Sequence, residues 1–222
     1  MCIRDRYRGA PATYNARMKA GNSEFVWCRV VVTPVTEDGV PVKMIGVIMD
    51  INAMILESNQ LKKDVQRDLF TGFYNKNYTQ RLIDDEIAKS GNREQALILV
   101  DIDNLKKIND TRGHFIGDEI ILEISKNIKS IFITDVILGR FGGDEFIIFI
   151  KDAWDKAAIY SQIGELLRSG TDSDITLSAG IAFAPDDGKS FTELFQNADT
   201  ALYQAKKGKN TWMVYDKNIR GR

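Results

Sequence analysis

The sequence predicts an α/β fold for the larger, C-terminal part of the chain. Apolar runs with the length of buried strands alternate with segments whose apolar residues recur at helical spacing, from about residue 69 to residue 217. The chain has 222 residues, enough for a small module followed by a domain of about 150 residues. We therefore expect an N-terminal module, a linker and one α/β domain.

Composition describes an ordinary globular protein, with 44% hydrophobic and 27% charged residues. The net charge of −1 and the pI near 6.0 exclude bulk attraction to nucleic acid or to an acidic membrane surface, so we expect neither partner. Two cysteines, Cys2 and Cys28, provide no disulfide framework and fit a reducing compartment. No apolar run has the roughly 18 to 20 residues of a membrane helix. We expect a cytoplasmic location, although the native protein could be tethered to a membrane by upstream segments.

The N-terminal segment, residues 1–51, predicts three short strands between about residues 17 and 50. Turn clusters at residues 20–23 and 37–39 separate these strands, and three strands are too few to close a core alone. Residues 52–68 are polar with helical spacing and predict a linker helix. Four of six a/d heptad positions are apolar, which leaves a short coiled coil and a plain linker helix both open.

The C-terminal part, residues 69–217, contains the remaining predicted elements. Residues 96–100 ("ALILV") are a buried strand, and Ser190 with Glu193 forms a capping box that opens the last helix, which runs to Lys207. The elements between them are a helix in 117–132, strands at 136–141 and 146–150, a helix near 155–167 and a strand in 174–184.

The stretch "GRFGGDEF" joins two of these strands, so it predicts a β-hairpin. Gly142 and Gly143 permit positive φ in the turn, but a turn does not require the adjacent carboxylates Asp144 and Glu145. Asp101 directly follows the buried strand at 96–100. Two carboxylates and a backbone carbonyl would suit Mg²⁺ or Mn²⁺. The alternative is that Asp101 and Asp144 are solvated turn residues.

Four motifs occur in a fixed order along the chain, and together they indicate a resemblance to a known family. Asn109 and Asp118 follow Asp101 in "DIDNLKKINDTRGHFIGDE", and "GGDEF" lies between "DLFTGFYNKN" at 68–77 and "ADTALYQAKKGKN" at 198–210. These four motifs, in this order, resemble the GGDEF family of diguanylate cyclases over residues 66–216. The "G…DI" stretch that ends the N-terminal segment is similar to the C-terminal half of a PAS sensor domain, over about 35 residues.

The resemblance implies a nucleotidyl cyclase-like fold, with a central, mostly antiparallel sheet flanked by helices. It implies condensation of two GTP into cyclic di-GMP with release of pyrophosphate. Asp101, Asp144 and the Ile102 carbonyl would hold two Mg²⁺ or Mn²⁺ ions per active site. Glu145 would be a candidate general base, and Gly142 and Gly143 would let the backbone approach the nucleotide.

The resemblance also implies the substrate contacts. Asn109 and Asp118 would read guanine, since a carboxylate accepts from guanine donors that adenine lacks. The backbone amides of Asn104 and Leu105 would bind phosphate, together with the side chains of Lys106, Lys206 and Lys209. The closing motif is one residue shorter than is common and has Lys209 in place of arginine. The alternatives are a turn former at Asn109, a helix N-terminal acid at Asp118 and merely solubilising lysines.

The resemblance also bears on product inhibition and on assembly. Many family members carry an inhibitory product site, Arg-x-x-Asp, before the hairpin; here Asp135 is present but Phe132 replaces the arginine, so we expect no tight product inhibition there. Each active site would bind one GTP, which requires a homodimer, with the PAS-like segment as input. The alternatives are a GTP-binding effector that has lost catalysis and a PAS-type sensor or dimerisation module.

Overall fold

The computed structural model divides the chain into two units, Met1–Val65 and Gln66–Arg222. It describes residues 11–19, 21, 25–55, 66–169 and 175–217. None of the helices in these ranges is long and apolar enough to cross a bilayer.

The first unit is a three-stranded antiparallel sheet in the order β1-β2-β3, formed by β1 (Ala12–Lys19), β2 (Phe25–Glu37) and β3 (Val40–Asp50). The three predicted strands are therefore confirmed, although β1 begins earlier than the predicted start. Residues 52–55 are helical, and the rest of the predicted linker helix up to residue 65 lies outside the described residues. The likeness to a PAS domain and the boundaries at residues 51 and 68 stay predictions.

The second unit contains a six-stranded sheet in the order β4-β6-β7-β5-β8-β9. The central pairs are antiparallel, whereas the edge strands β4 and β9 join in parallel. The sequence missed the short edge strands and the helices α1 and α2. The elements are β4 (Tyr74–Asn75), α1 (Lys76–Ser90), β5 (Gln95–Ile102), α2 (Leu105–Arg112), α3 (His114–Ile131), β6 (Val136–Arg140), β7 (Glu145–Ile150), α4 (Lys156–Ser169), β8 (Leu177–Ala184), α5 (Phe191–Gly208) and β9 (Thr211–Val214).

Both faces of this sheet are covered, and β5 shows why. All eight of its residues are buried, and alternate residues enter two different clusters. Ile98 packs with residues of α3 and α4, and Leu97 with residues of α1 and α5. Because strand side chains alternate between faces, a strand covered on both sides reads as the continuous apolar run "ALILV".

Helix α5 lies directly on β8. A Cβ added at Gly180 would collide with the backbone of α5 at Ala198 and Leu202, so only glycine permits this approach. The predicted N-cap is confirmed, because Ser190 accepts a hydrogen bond from the Glu193 amide at 3.3 Å. The position of α5 brings its C-terminal end, with Lys206, to the end of β5.

Candidate functional site

The candidate site lies where β5 ends between β7 and β8. Asp101 pairs with Glu145 on β7 and with Ser178 on β8, and it is only 5% exposed. The Ile102 amide donates to the Asp144 carbonyl at 3.3 Å. Asp101 and the hairpin acids thus share one edge of the sheet. The alternative that Asp101 is a solvated turn residue is wrong, because it is buried within a strand; Asp144 does lie in the turn.

Negative charge exceeds positive charge at this edge. The Lys206 ammonium lies 2.7 Å from Asp101 Oδ2. Burial raises the pKa of Asp101 to about 6, with smaller contributions from the Asp144 and Glu145 charges, and Lys206 only partly offsets this rise. Burial acts to lower the pKa of Lys206, but the Asp101 hydrogen bond and the three carboxylates outweigh it and raise that pKa. The Lys206 ammonium therefore interacts with three carboxylates, those of Asp101, Asp144 and Glu145. This surplus of negative charge would suit a further cation.

A divalent cation fits the donors that this edge offers. No cluster of three or more His, Cys, Asp or Glu side chains suited to a metal occurs in the described ranges. Asp101 and Asp144 offer two carboxylates, and Ile102 adds a carbonyl oxygen. Mg²⁺ commonly takes only one or two carboxylates and completes its shell with substrate phosphates and water. The chemistry of the donor set therefore agrees with the predicted ligands, whose role stays a prediction.

The hairpin between β6 and β7 is held by backbone bonds and by Arg140. The Phe141 amide donates to the Glu145 carbonyl at 2.8 Å, and Arg140 Nη2 donates to the Gly143 carbonyl at 2.7 Å. Arg140 Nη1 also binds Asp68 at 3.2 Å, so the opening motif contacts the hairpin. Asp68 and Arg140 are site-supporting residues that the sequence did not assign.

The hairpin glycines do not have the predicted conformation. Neither Gly142 nor Gly143 has a positive φ, so the expectation of a left-handed turn is wrong. A Cβ at Gly142 would lie 2.8 Å from Glu145 Oε2, so a side chain there would require the Glu145 carboxylate to move. A Cβ at Gly143 would meet nothing within 4 Å. Gly143 thus faces open space, as an approach by a ligand requires.

The predicted phosphate contacts fall into three groups. Asn104, in the left-handed region at φ 59°, precedes α2, and its Oδ1 accepts from Lys209 Nζ at 3.0 Å. Lys206 binds Asp101 instead, as described above. Lys106 is exposed on α2, and Leu105 beside it is buried. The structure thus joins Asn104 with Lys209 through a hydrogen bond.

The predicted guanine contacts lie where α2 meets α3. Asn109 Oδ1 is buried and has no hydrogen-bond partner among the described residues. A Cβ on Gly117 would collide with the Asn109 amide, so this amide lies against α3, one residue from the exposed Asp118. The turn-former alternative for Asn109 is wrong, because it is helical. Asp118 is the fifth residue of α3, beyond the first turn that the helix dipole favours.

Asp103 is a buried acid that the sequence did not single out. Its Oδ1 accepts from the Ser178 hydroxyl at 2.8 Å, and its Oδ2 accepts from the Thr176 hydroxyl at 2.7 Å and the Asn210 amide at 3.2 Å. Asp103 therefore ties the end of β5 to the start of β8 and to the turn after α5. The sequence signal that could have identified Asp103 is its position as the second acid of "DID", directly after the buried strand.

The position expected for product inhibition is filled differently from an Arg-x-x-Asp site. Phe132 is 2% exposed and belongs to the core. Asp135 is exposed, and its carbonyl accepts from the Lys151 amide at 2.9 Å. The expectation of no tight product inhibition through this site stays a prediction.

Comparison with known proteins now places the chain. A profile of the family described as "Diguanylate cyclase, GGDEF domain" matches residues 65–211. The Escherichia coli K12 protein "Cyclic di-GMP phosphodiesterase PdeR" is 36% identical over 148 residues, which cover 64% of this chain and 22% of that protein. "Probable diguanylate cyclase DgcC" of the same strain is 33% identical over 154 residues, which cover 65% of this chain and 42% of that protein. The chain thus spans less than half of either relative.

The fold agrees with these matches. The crystal structure of the coiled coil and GGDEF domain of DgcB from Caulobacter crescentus in complex with c-di-GMP is 24% identical and superimposes with a TM-score of 0.67. The match covers 74% of this chain and 93% of that structure. It confirms the predicted nucleotidyl cyclase-like fold, with a mostly antiparallel sheet flanked by helices. Because the family profile also covers more than half of its residues, the chain belongs to the GGDEF diguanylate cyclase family.

Proposed function

We propose that the second unit is an active diguanylate cyclase, which condenses two GTP into cyclic di-GMP and two pyrophosphates. The observation that carries this proposal is the convergence of Asp101, buried at the end of β5, with Asp144 and Glu145 of the paired hairpin. The intact "GGDEF" motif and the family of the chain support the same activity.

The metal site of this proposal consists of Asp101, Asp144 and the Ile102 carbonyl, holding Mg²⁺ or Mn²⁺, two ions per site as the family resemblance implies. When bound, these ions would neutralise the triphosphate and polarise its α-phosphate. The surplus of carboxylates over ammonium groups at this edge supports the assignment.

The chain's own groups would handle the proton and the phosphates. The 3′-oxygen of one GTP attacks the α-phosphorus of the other, the bond to pyrophosphate breaks, and Glu145 accepts the hydroxyl proton. In the second step, the 3′-oxygen of the other nucleotide attacks the α-phosphorus of the first, which releases the second pyrophosphate and closes the ring. Lys206 would exchange Asp101 for a phosphate oxygen, which its 41% exposed side chain can reach. Gly143 leaves space for the nucleotide.

Selectivity for guanine would come from Asn109 and Asp118. A buried acceptor without a partner costs about 1–3 kcal/mol, so a donor from the ligand would stabilise Asn109 Oδ1. Guanine presents N1–H and an amino group as donors, and Asp118 is the predicted acceptor for them. Adenine lacks this donor pair, so GTP should be preferred over ATP.

Two sites must face each other in this reaction, because each binds one GTP. The active species would be a homodimer, and the first unit with the predicted linker helix would set how often the half-sites align. The first unit would thereby be the input module.

A second candidate function is a GTP-binding effector without catalysis. The relative PdeR is named as a phosphodiesterase, and its match covers a share of this chain similar to that of DgcC. Membership of the family therefore does not by itself establish turnover. A third candidate is a sensor or dimerisation module that binds no nucleotide.

The discriminating experiment incubates the full chain with GTP and Mg²⁺ and separates the products by chromatography. We expect cyclic di-GMP from the wild type, and a rate about 10²–10³-fold lower from Asp144→Ala, the size of effect typical for removing one group that stabilises the transition state. Asp152→Asn, an exposed acid after β7, is the matched control and should retain activity. If the chain binds GTP but forms no product, the result supports the effector. If it shows no binding and forms no product, the result supports the sensor module.

A further inference from the structure

A cavity lies at the end of the central sheet that is opposite to the candidate site. We call it the distal cavity and define it by six of the residues that line it: Asp84, Ile87, Arg93, Gln95, Ala184 and Lys189. Its volume is about 300 Å³, at the lower end of the range of pockets that hold small molecules. Gln95 begins β5 and Asp101 lies near the end of that strand. About 20 Å of strand therefore separates the distal cavity from the predicted metal ligands.

Gln95 is buried without a complete set of hydrogen bonds. Its side chain is 0% exposed, and the residue pairs with Ala184 of β8. Gln95 Oε1 lies 3.2 Å from the Ser90 hydroxyl, whereas Gln95 Nε2 has no hydrogen-bond partner among the described residues. A buried amide donor without a partner is unfavourable, and native proteins contain few of them. Because Gln95 lines the distal cavity, a ligand with an acceptor oxygen would satisfy this donor.

The charges of the lining favour an acceptor that is an anion. Arg93 and Lys189 are exposed and line the distal cavity, so they contribute positive charge at its mouth. Asp84 contributes the one carboxylate among the described lining residues, and its Oδ1 accepts from the Phe191 amide at 3.0 Å. The lining thus carries two positive charges and one negative charge. This balance favours a ligand with a single negative charge over a polyanion.

The distal cavity also offers apolar surface and a wall that is already fixed. Ile87, Ala184 and Pro185 line it, and they would contact the hydrocarbon part of a ligand. The hydrogen bond from the Phe191 amide to Asp84 joins α1 to the first residue of α5. A ligand would therefore enter a cavity whose walls need little rearrangement.

We propose that the distal cavity binds a small organic monocarboxylate. A carboxylate oxygen of the ligand accepts from Gln95 Nε2, Arg93 and Lys189 supply the opposite charge, and the hydrocarbon part packs on Ile87 and Ala184. This site is independent of the proposed cyclase activity, because none of the residues that define it belongs to the candidate site.

The test is nuclear magnetic resonance on the full, isotope-labelled chain, with butyrate and butyramide as probes. Butyramide has the size and shape of butyrate but carries no charge. The signal of the Gln95 side-chain amide is identified by its loss in Gln95→Met. We expect butyrate to shift this signal in a saturable manner, and butyramide to bind at least about tenfold more weakly, since a hydrogen bond to a charged group is stronger than one to a neutral group.

Variants of the lining test the contacts that the proposal names. Gln95→Met removes the donor and keeps the length of the side chain, so it should retain the fold. The backbone signals of Gly91 and Gly188, which line the distal cavity, report binding in this variant. We expect the affinity for butyrate to fall at least about tenfold in Gln95→Met and about two- to fivefold in Arg93→Gln, whose charge is exposed. Arg81→Gln, an exposed cation of α1 that does not line the cavity, is the matched control and should match the wild type.

Three results would overturn the proposal: butyrate leaves the Gln95 signal unchanged, butyramide binds as tightly as butyrate, or Gln95→Met binds butyrate as tightly as the wild type. Pyrophosphate is a further probe, which should bind more weakly than butyrate. Tighter binding of pyrophosphate at the Gln95 signal would reject a monocarboxylate as the ligand. Asp144→Ala should bind butyrate like the wild type, so failure of the cyclase activity and failure of the distal cavity are distinguishable.

Discussion

At the scale of single residues, the site depends on close approaches that only small side chains permit. Asn109 lies against Gly117 with its buried oxygen unpartnered, and the Glu145 carboxylate occupies the space beside Gly142. Alanine usually stabilises a helix relative to glycine. At Gly117, however, the added methyl group would displace the amide that is predicted to read guanine.

Gly117→Ala should therefore lower the free energy of unfolding by about 1–3 kcal/mol, the usual cost of overpacking. Gly164→Ala is a matched control within α4, where a Cβ meets only the end of the Arg168 side chain, at 3.4 Å. The control should leave stability unchanged or raise it by about 0.5–1 kcal/mol. Urea denaturation of both variants gives the comparison, and equal stabilities would contradict the packing of Asn109 on Gly117.

At the scale of elements, Arg140 joins the loop before β4 to the hairpin between β6 and β7. It binds both Asp68 and the Gly143 carbonyl. Asp68 also accepts from the Thr71 amide at 2.8 Å and the Thr71 hydroxyl at 2.7 Å. The opening motif therefore holds the hairpin next to Asp144, so it supports the site from a position distant in sequence.

Asp68→Asn should lower stability in a pH-dependent manner. Burial alone would raise the pKa of Asp68, but the hydrogen bonds from Thr71 and the Arg140 ion pair outweigh it and hold the pKa below its ordinary value of 3.8. A lowered pKa in the folded state stabilises the fold above the unfolded pKa, and this stabilisation is lost as the pH falls through the folded pKa. We expect the wild type to exceed the variant by about 1–2 kcal/mol at pH 7.

The measurement is urea denaturation of both proteins between pH 7 and pH 3, with Asp152→Asn as the control. The difference between wild type and Asp68→Asn should shrink below about pH 4. A difference that stays constant over this range would show that the Asp68 charge does not stabilise the fold.

At the scale of the whole molecule, the proposed chemistry needs two copies of the chain. The second unit places the predicted metal-binding acids and the predicted phosphate contacts Lys206 and Lys209 around one edge of one sheet. In the proposed function such a site would hold one triphosphate, whereas the product contains two guanosine monophosphate units. Catalysis should therefore depend on association.

Specific activity should rise with protein concentration and then reach a plateau. Below the dissociation constant of the dimer, the rate should increase roughly with the square of concentration, because the active species forms from two chains. Activity assays over a hundredfold range of about 0.1 to 10 μM, paired with sedimentation at the same concentrations, check this. A constant specific activity where the chain sediments as a monomer would reject the dimeric mechanism.

The sequence by itself determined those features that depend on neighbours along the chain. Periodicity located the buried strand at 96–100 and the amphipathic helix α3, and residue chemistry located the N-cap at Ser190. Four ordered motifs were sufficient to identify the family. Short elements such as β4 and α2 escaped, because two or eight residues hold too little periodicity.

Only the tertiary structure decided which of these residues meet. The Lys206–Asp101 contact joins residues 105 positions apart, and the pairing of Asp101 with Glu145 depends on strand register. The raised pKa of Asp101 follows from burial that no local pattern records. The cleft lined by Asn104, Thr176 and Lys209 also exists only after α2 and α5 pack at the same sheet edge. The sequence gives the types of side chain that are available for chemistry. Their distances, their burial and the charges around them arise from the packing of segments that are distant in sequence.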